Sequence, residues 1–339
     1  MLLGKSKFDI SGMHSDYFAG LTKYDFIGFS TKVNDKTALG LSFIRFGVDN
    51  IPNTTQLIDK EGNISSKLLK IIKEKYQYII IDEISMIGKE LWKRINLLKI
   101  NSNIKFLLLG DEKQCPPVEN EDIEDYFNHP AVKSICNYNR NVLDVRKRYD
   151  EKLYNILEDV NNIKIDYAHA IKEPLTERNI CYYNKTRKRI NKYWNDKKKN
   201  DKDLFIPADE ENDKTQDMYI YEGLPVIAMK TKHDGDNILF ANSETFNVGN
   251  IDNEYISLCC ERPDENGEKE MYIYDCLIED FRDYFLLNYC STTHKSQGET
   301  ITEEYTIYDW DGMTTKIKYT ALSRAVKYEN VYFGYGERE

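Results

Sequence analysis

The chain has 339 residues, 41% of them hydrophobic and 31% charged, which is typical of a globular protein with a sizeable core. Its formal net charge of −10 argues against a protein that coats nucleic acid nonspecifically, although a local basic groove is compatible with it. Seven cysteines without a Cys-x-x-Cys spacing, and no apolar run near the roughly 18 residues of a membrane span, predict an intracellular protein with reduced thiols, no zinc site and no membrane contact.

The first pattern in the chain is Gly4-Lys5-Ser6, the last three residues of the P-loop Gly-x-x-x-x-Gly-Lys-Ser/Thr. In a complete loop, backbone N–H groups cradle phosphates, the lysine reaches them and the serine binds Mg²⁺. The first glycine and the preceding strand are missing here, and a bare Gly-Lys-Ser also occurs by chance. A strand is predicted at 24–29, and the Thr31-Lys32 pair beyond it fits either a phosphate contact or a solvated turn.

Residues 78–81 have the composition of a buried strand of a parallel sheet, and they lead directly into Asp82 and Glu83. Amphipathic helices are predicted on either side, at 64–76 and 89–98. Ligands bind at the carboxyl ends of such strands, where the two carboxylates would project. One could hold Mg²⁺ and the other could orient or deprotonate a water, but a solvated strand end would carry the same residues.

A second buried strand is predicted at 106–109, and the turn after it carries Gln114. Because Pro116 and Pro117 restrict the backbone there, the amide could report on a bound ligand; an exposed side chain in a proline-rich turn is the alternative. Two strands with polar groups at their carboxyl ends and a helix between them predict a doubly wound α/β domain that ends near residue 125.

The second half of the chain contains predicted helices and strands followed by a β-rich segment. A helix is predicted at 145–160, a strand at 180–183, and a lysine-rich helix and loop at 188–202. Residues 218–287 are short runs of strand-forming residues separated by turns, which predicts a small β-barrel or a hairpin insertion. The run of lysines near residue 198 is typical of a solvated face.

Two donor-rich segments follow. A strand that begins near residue 288 leads into Thr, His, Lys, Ser and Gly residues whose donors could grip phosphate and sugar oxygens. A small-residue helix at 318–325 then carries a single arginine, Arg324, before a final strand at 330–333. Burying an arginine on an otherwise apolar helix is costly unless an anion meets it. His294, in the first segment, would also fit a core position with its hydrogen bonds satisfied.

In this order, the segments resemble the motifs of superfamily 1 helicases, most closely the RecD/Dda/PIF-type branch, whose members generally move 5′ to 3′ on single-stranded DNA. The matching segments are 81–86 (motif II), 109–118 (motif III), Arg148 (motif IV), 293–300 (motif V) and 319–325 (motif VI). Within these motifs the sequence is most similar to helicases of this branch from large DNA viruses. The resemblance implies a role in DNA replication or repair. Motif I is incomplete.

The resemblance implies an α/β fold with two RecA-like parallel-sheet domains and a small β-barrel insertion in the second. The first domain, N-terminally incomplete, would be 1–125. The second would be built from 126–217 and 288–339, with the β-rich insertion at 218–287.

The resemblance also implies ATP and Mg²⁺ at the cleft between the two domains. Asp82 and Ser6 would hold the metal, and Glu83 would activate the attacking water. Gln114 would sense the γ-phosphate, while Arg148 and Arg324 would neutralise charge on the transferring phosphoryl group. The nucleotide would also contact Gly4, Lys5, Ser6 and Gly298.

Single-stranded DNA, or RNA, would cross both domains. The residues implied to grip it are Thr31, Lys32, Thr293, His294, Lys295 and Ser296. We expect a monomer in the cytoplasm, the nucleus or a viral replication compartment. The incomplete P-loop predicts either a fragment that begins inside the loop or a degenerate relative. The alternative functions are therefore a nucleic-acid-binding scaffold without nucleotide turnover and an RNA helicase of the same superfamily.

Overall fold

The computed structural model describes residues 26–30, 42–45, 78–81, 83–117, 127–143, 148–163, 165, 174–234, 237–263 and 269–335. The chain divides into two compact units, the first formed chiefly by residues before Val145 and the second chiefly by residues from Val145 onward. None of the helices in the described ranges has the length and apolarity that a bilayer crossing requires.

The first unit contains a four-stranded sheet. Its strands are β1 (Phe26–Ser30), β2 (Ser42–Arg45), β3 (Tyr78–Ile81) and β4 (Lys105–Leu108). They lie in the order β2-β1-β3-β4, with β1, β3 and β4 parallel and β2 antiparallel to β1. Ile81 pairs with Phe29 on one side and with Leu108 on the other, so the carboxyl ends of the three parallel strands are level. The expected parallel sheet is therefore present.

Helices α1 (Lys89–Ile100) and α2 (Pro130–Ile135) pack against each other in this unit. The α1 helix buries one side of its cylinder. The α2 helix has a proline in its first turn, and its start is capped by the His129 Nδ1 atom, which accepts the Ala131 N–H at 3.2 Å. The first compact unit extends to Asp144, and α2 lies within it with Val132 and Ile135 buried. The domain boundary predicted near residue 125 stays a prediction.

The chain after Val145 contributes thirteen of the described strands and five of the described helices. The strands are β5 (Arg178–Cys181), β6 (Leu204–Ile206), β7 (Met218–Ile220), β8 (Pro225–Ala228), β9 (Lys232–Asp234), β10 (Asn237–Phe240), β11 (Thr245–Ile251), β12 (Tyr255–Pro263), β13 (Lys269–Leu277), β14 (Phe285–Leu287), β15 (Cys290–Thr292), β16 (Tyr305–Ile307) and β17 (Val331–Phe333). The helices are α3 (Glu151–Glu158), α4 (Asn184–Lys198), α5 (Ile278–Tyr284), α6 (Thr293–Ser296) and α7 (Thr315–Leu322).

Two larger sheets are formed by these strands. The first is entirely parallel, in the order β15-β5-β16-β17, as expected of a second RecA-like domain. The second is antiparallel, in the order β13-β12-β11-β8-β14, and lies within the range predicted for the insertion. Among the described residues β13 and β14 are its two edges and do not pair with each other, so a closed barrel stays a prediction. The remaining described strands form two pairs, the antiparallel pair β6–β7 and the pair β9–β10.

The α4 helix joins the two sheets. It packs against β5 and β15 of the parallel sheet and against β7. Two buried asparagines attach it to strands: the Asn191 amide donates to the carbonyls of Leu287 and Cys290, both at 3.1 Å, and Asn195 exchanges two hydrogen bonds with the Tyr219 backbone. The helix carries seven basic residues and one acidic residue, most of them on its outer side.

The start of α4 is fixed by Asp309, a buried residue in the left-handed backbone region with φ 63°. Its carboxylate accepts the backbone N–H groups of Tyr182 and Tyr183 at 3.1 and 3.0 Å and the Thr186 hydroxyl at 2.8 Å. Since the first N–H groups of a helix have no partner within it, a carboxylate at this position satisfies donors that burial would otherwise leave unpaired.

Candidate functional site

The structure describes only part of the predicted site. The predicted residues that lie outside the described ranges are Gly4, Lys5, Ser6, Thr31, Lys32 and Asp82. In the first unit Glu83 and Gln114 are described, and the other predicted residues belong to the second unit. Within the described ranges, no cluster of three or more His, Cys, Asp or Glu residues could hold a metal ion.

Glu83 lies at the carboxyl end of β3, where the backbone turns sharply. Its φ and ψ are 53° and 44°, in the left-handed region that costs a non-glycine residue about 1–2 kcal/mol. The turn is held by backbone hydrogen bonds to the segment after β4: Ile84 N–H donates to the Leu109 carbonyl at 3.0 Å, and Leu109 N–H donates to the Ile81 carbonyl at 2.8 Å. The two strand ends predicted to carry the site are therefore bound to each other.

Gly110 allows this close approach. A Cβ atom at its position would lie 2.6 Å from Ile84 Cγ1 and 3.1 Å from the Ile84 backbone nitrogen. Real Cβ atoms essentially never come within 3.0 Å of another heavy atom, so Ile84 would have to shift to admit any other residue. Gly110 thus sets the spacing between the two loops.

Gln114 follows in a tight turn. The Asp111 carboxylate accepts the Lys113 N–H at 2.9 Å, the Asp111 carbonyl accepts the Gln114 N–H at 3.1 Å, and Cys115 is fully buried beyond the turn. The Gln114 Oε1 atom is buried and accepts no hydrogen bond from the residues that the structure describes. Leaving a buried acceptor unsatisfied costs about 1–3 kcal/mol, so this amide oxygen is available for a donor on a ligand or its water.

Arg324 follows the end of α7 in the second unit and is only 1% exposed. Its Nε atom donates to the Thr320 carbonyl at 2.9 Å, Nη1 to the Glu299 carbonyl at 3.2 Å and Nη2 to the Ser323 hydroxyl at 2.9 Å. All three acceptors are uncharged. Because none of these partners carries a negative charge, the positive charge of the buried guanidinium is left available to an anion.

Arg148 contacts the same turn. Its Nη1 atom lies 3.4 Å from the Ser323 carbonyl, and it is exposed. The segment around Arg148 is anchored one turn further along, because Asp150 N–H donates to the Val326 carbonyl at 3.0 Å and the Asp150 carboxylate accepts the Tyr328 N–H at 3.1 Å. The two arginines are 176 residues apart in the sequence, and the structure brings both to Ser323. Arg148 contacts its carbonyl and Arg324 its hydroxyl.

The segment predicted to grip nucleic acid forms α6. Its hydroxyls point inward: Thr293 Oγ1 donates to the Cys181 carbonyl at 3.2 Å, and Ser296 Oγ donates to the Thr293 carbonyl at 3.0 Å. Both residues are fully buried, which favours a role in supporting the helix. His294 and Lys295 are half-buried and are better placed for an outside contact. Burial lowers the pKa of His294 below its usual range, so its imidazole is neutral near pH 7.

Gly298 ends this segment with a φ of +83°, a conformation that favours glycine. The next residue, Glu299, was not singled out by the sequence analysis, and neither was Arg178. The structure pairs their side chains and also places the Glu299 carbonyl against Arg324. A lone charged residue at the start of a strand gives no sequence signal of a functional role, which is why Arg178 was missed. Glu299 lies next to Gly298, but no pattern in the sequence indicates a role for its own side chain.

No family model matches the chain. A curated relative, the ATP-dependent DNA helicase Pif1 of Campylobacter jejuni, is 35% identical over 92 residues, which is 26% of this chain. The matched stretch spans only 21% of that relative's length.

Solved structures of helicases are similar over most of the chain. The Pif1 helicase from Candida albicans has a TM-score of 0.53 at 19% identity, and the comparison covers 79% of this chain and 76% of that chain. Bacteroides Pif1 bound to single-stranded DNA has a TM-score of 0.53 at 17% identity, covering 85% and 77%. Bacteroides Pif1 in complex with ADP-AlF3 and single-stranded DNA has a TM-score of 0.52 at 16% identity, covering 80% and 73%. At these identities the likeness concerns the fold: it supports the expected α/β fold with a parallel sheet, while the small β-barrel insertion stays a prediction.

Proposed function

We propose that this chain, which has the fold of superfamily 1 helicases of the Pif1 type, is an ATP-dependent DNA helicase or translocase that moves on single-stranded DNA. The proposal is supported by a relative named as an ATP-dependent DNA helicase and by similar structures that hold single-stranded DNA and ADP-AlF3. The observation that carries it is the convergence of Arg148 and Arg324 on Ser323, where the buried Arg324 guanidinium has neutral partners among the described residues.

In this proposal the two arginines neutralise the charge that develops on the transferring phosphoryl group. Arginines in this role raise the rate of phosphoryl transfer by about 10³–10⁵-fold. Because Ser323 contacts both guanidinium groups, they are presented to the phosphate as a pair. Their effect would appear only when ATP is within reach, which couples hydrolysis to the arrangement of the two domains.

The first unit would supply the water-activating and sensing groups. Glu83, at the carboxyl end of β3, would orient and deprotonate the attacking water, and Gln114 would accept a hydrogen bond from that water or from another group at the γ-phosphate. Mg²⁺ would be held by Asp82 and Ser6, both outside the described residues, and when bound it supplies charge neutralisation of the phosphate oxygens. The carboxylate of Glu83 beside Asp82 makes this strand end rich in the oxygen donors that Mg²⁺ prefers.

Single-stranded DNA would be gripped by one set of residues in each domain. In the second unit, His294 and Lys295 are the accessible members of that set. A neutral imidazole at His294 would donate its ring N–H to a sugar or phosphate oxygen, while Lys295 would contribute the charge. ATP-driven changes between the domains would then move the strand.

The test is ATP hydrolysis with and without single-stranded DNA, in a protein whose N-terminus supplies a complete P-loop before Gly4. We expect DNA to stimulate hydrolysis and Glu83→Gln to lower the turnover number by about 10²-fold or more, since a positioned base contributes that much. Glu112→Gln is the matched control, because Glu112 is an exposed carboxylate of the neighbouring loop paired with Arg140. A hydrolysis rate that DNA leaves unchanged contradicts the proposal.

The second candidate is a nucleic-acid-binding scaffold that keeps the fold without nucleotide turnover. DNA binding that ATP and Mg²⁺ do not change would support it. An RNA helicase is the third candidate, and unwinding assays on DNA and RNA duplexes of the same sequence would separate it from the first.

A further inference from the structure

Arg178, the first residue of β5, forms an ion pair that no motif predicted. Its Nη2 atom contacts the Glu299 carboxylate, and its Nη1 atom donates to the Asn288 carbonyl at 3.2 Å. The two side chains are only 16% and 23% exposed. Pairs that exclude most of the water and make further hydrogen bonds are less screened than surface pairs, so removing one partner is costly.

Glu299 also contacts Arg324, through its main chain. The Glu299 carbonyl accepts the Arg324 Nη1 hydrogen bond at 3.2 Å, and two residues further on Ile301 N–H donates to the Arg324 carbonyl at 2.8 Å. Ile301 and Ala325 form a parallel bridge at the same place. The segment 298–301 therefore holds Arg324 by its side chain and by its backbone.

The direction of the Glu299 carbonyl depends on how this segment is fixed. The segment leaves α6 through Gly298 in a left-handed conformation, and Glu299 N–H donates to the Ser296 carbonyl at 3.0 Å. The carboxylate of Glu299 is the charged group within 298–301, and Arg178 binds it. A change at Arg178 would thus release the acceptor that orients the Arg324 guanidinium.

We propose that Arg178 is a positioning residue for Arg324: by holding the Glu299 carboxylate, it fixes the carbonyl that orients the buried guanidinium. The role assigned to Arg324 rests on the proposed function, because Arg324 is the group expected to meet the phosphate. The contacts themselves belong to one unit and can be tested without ATP.

The test uses the full chain and p-hydroxyphenylglyoxal, which modifies accessible guanidinium groups, with rates measured for each arginine by peptide mass spectrometry. In Arg178→Met we expect modification of Arg324 to become about tenfold faster or more, because the hydrogen bond from the charged guanidinium to the Glu299 carbonyl is worth about that factor. Arg187, 3% exposed in the same unit and held by Asn184 and the Lys214 carbonyl, serves as the internal reference and should not change.

Four further variants separate positioning from general loosening. Arg178→Lys keeps the charge and should restore most of the protection of Arg324. Glu299→Gln should match Arg178→Met, and the double variant should be no worse than either, since both break one interaction. Lys198→Met is the control, because it removes the ion pair between Lys198 and Glu177, the residue next to Arg178. The side chains of this pair are 35% and 56% exposed, respectively, and the substitution should leave Arg324 protected.

An unchanged Arg324 rate in Arg178→Met overturns the inference, and so does a parallel rise at Arg187, which would indicate a loss of overall stability. The proposed function fails by a different result, namely ATP hydrolysis that DNA does not affect. The two failures are therefore distinguishable.

Discussion

At the scale of single residues, the site depends on a few positions whose conformations are strained or closely packed. Glu83 has a left-handed backbone, Gln114 has a buried oxygen that accepts nothing from the described residues, and Arg324 is a buried cation with neutral partners. Each of these states costs free energy in the protein alone. Such costs are tolerated at sites where a ligand or a reaction uses them.

Gly110→Ala tests the closeness of the two loops in the first unit. The added Cβ would lie 2.6 Å from Ile84 Cγ1, so we expect the free energy of unfolding of this unit to fall by about 1–3 kcal/mol. Gly223→Ala is a useful comparison, because Gly223 has a φ of +83° but no atom within 4 Å, and it reports backbone strain without a clash. Chemical denaturation followed by tryptophan fluorescence measures both, and equal stability of wild type and Gly110→Ala would contradict the packing.

The types of the site residues could be predicted from the sequence, but their surroundings could not. Glu83, Gln114 and Arg324 were recognisable because strand ends, prolines and a small-residue helix surround them. The Arg178–Glu299 pair joins residues 121 positions apart, and nothing in either local sequence indicates the other. The inward hydroxyls of α6 were likewise not foreseen, because a donor-rich segment has the same composition whether its donors bind a ligand or its own backbone.

At the scale of elements, the predictions were most accurate for strands with continuous apolar runs, such as β3. The helix predicted from residue 145 begins at 151, because the Asp150 carboxylate accepts the Leu153 N–H at 2.6 Å and caps the first turn. Strands β12 and β13 extend over nine residues each, well beyond the short runs predicted, since they pair along their whole length. Pairing between strands lengthens elements that the sequence of one strand alone predicts to be short. The helix predicted at 64–76 lies outside the described residues.

Asp309→Ala tests the attachment of α4. The substitution would leave the N–H groups of Tyr182 and Tyr183 and the Thr186 hydroxyl without their acceptor, so we expect a loss of about 2–3 kcal/mol of stability. Asp311→Ala, at an exposed position two residues away, is the control and should change stability by less than about 0.5 kcal/mol. A similar small effect for both variants in thermal unfolding would show that the carboxylate does not cap the helix.

At the scale of the whole molecule, each unit is built on a sheet of mainly parallel strands, and the chain after Val145 adds an antiparallel sheet. Such an arrangement follows from the alternation of strands and helices in the sequence, which also indicated where the β-rich segment lies. The packing of α2 against α1 could not be predicted, because the stretch between the two helices carries few sequence signals.

The seven cysteines report on whether both units are folded. All seven are free thiols; five are buried, while Cys136 and Cys259 are half-buried. Burial raises the pKa of Cys136 and raises that of Cys276 to about 12. With Ellman's reagent at pH 8 we therefore expect Cys259 to react first, followed slowly by Cys136, and all seven thiols to react in denaturant. Fast reaction of three or more thiols in the native protein would contradict the buried positions.

The charge of α4 contrasts with that of the whole chain, which contains 57 acidic and 47 basic residues. Seven basic residues against one acidic residue make this helix a local centre of positive potential on a molecule that otherwise repels polyanions. The field acts over a Debye length of about 10 Å at 0.1 M salt, so it acts before contact. Diffusional encounters with a polyanion are thereby steered toward one orientation, and the excess of acidic residues contributes by disfavouring the others.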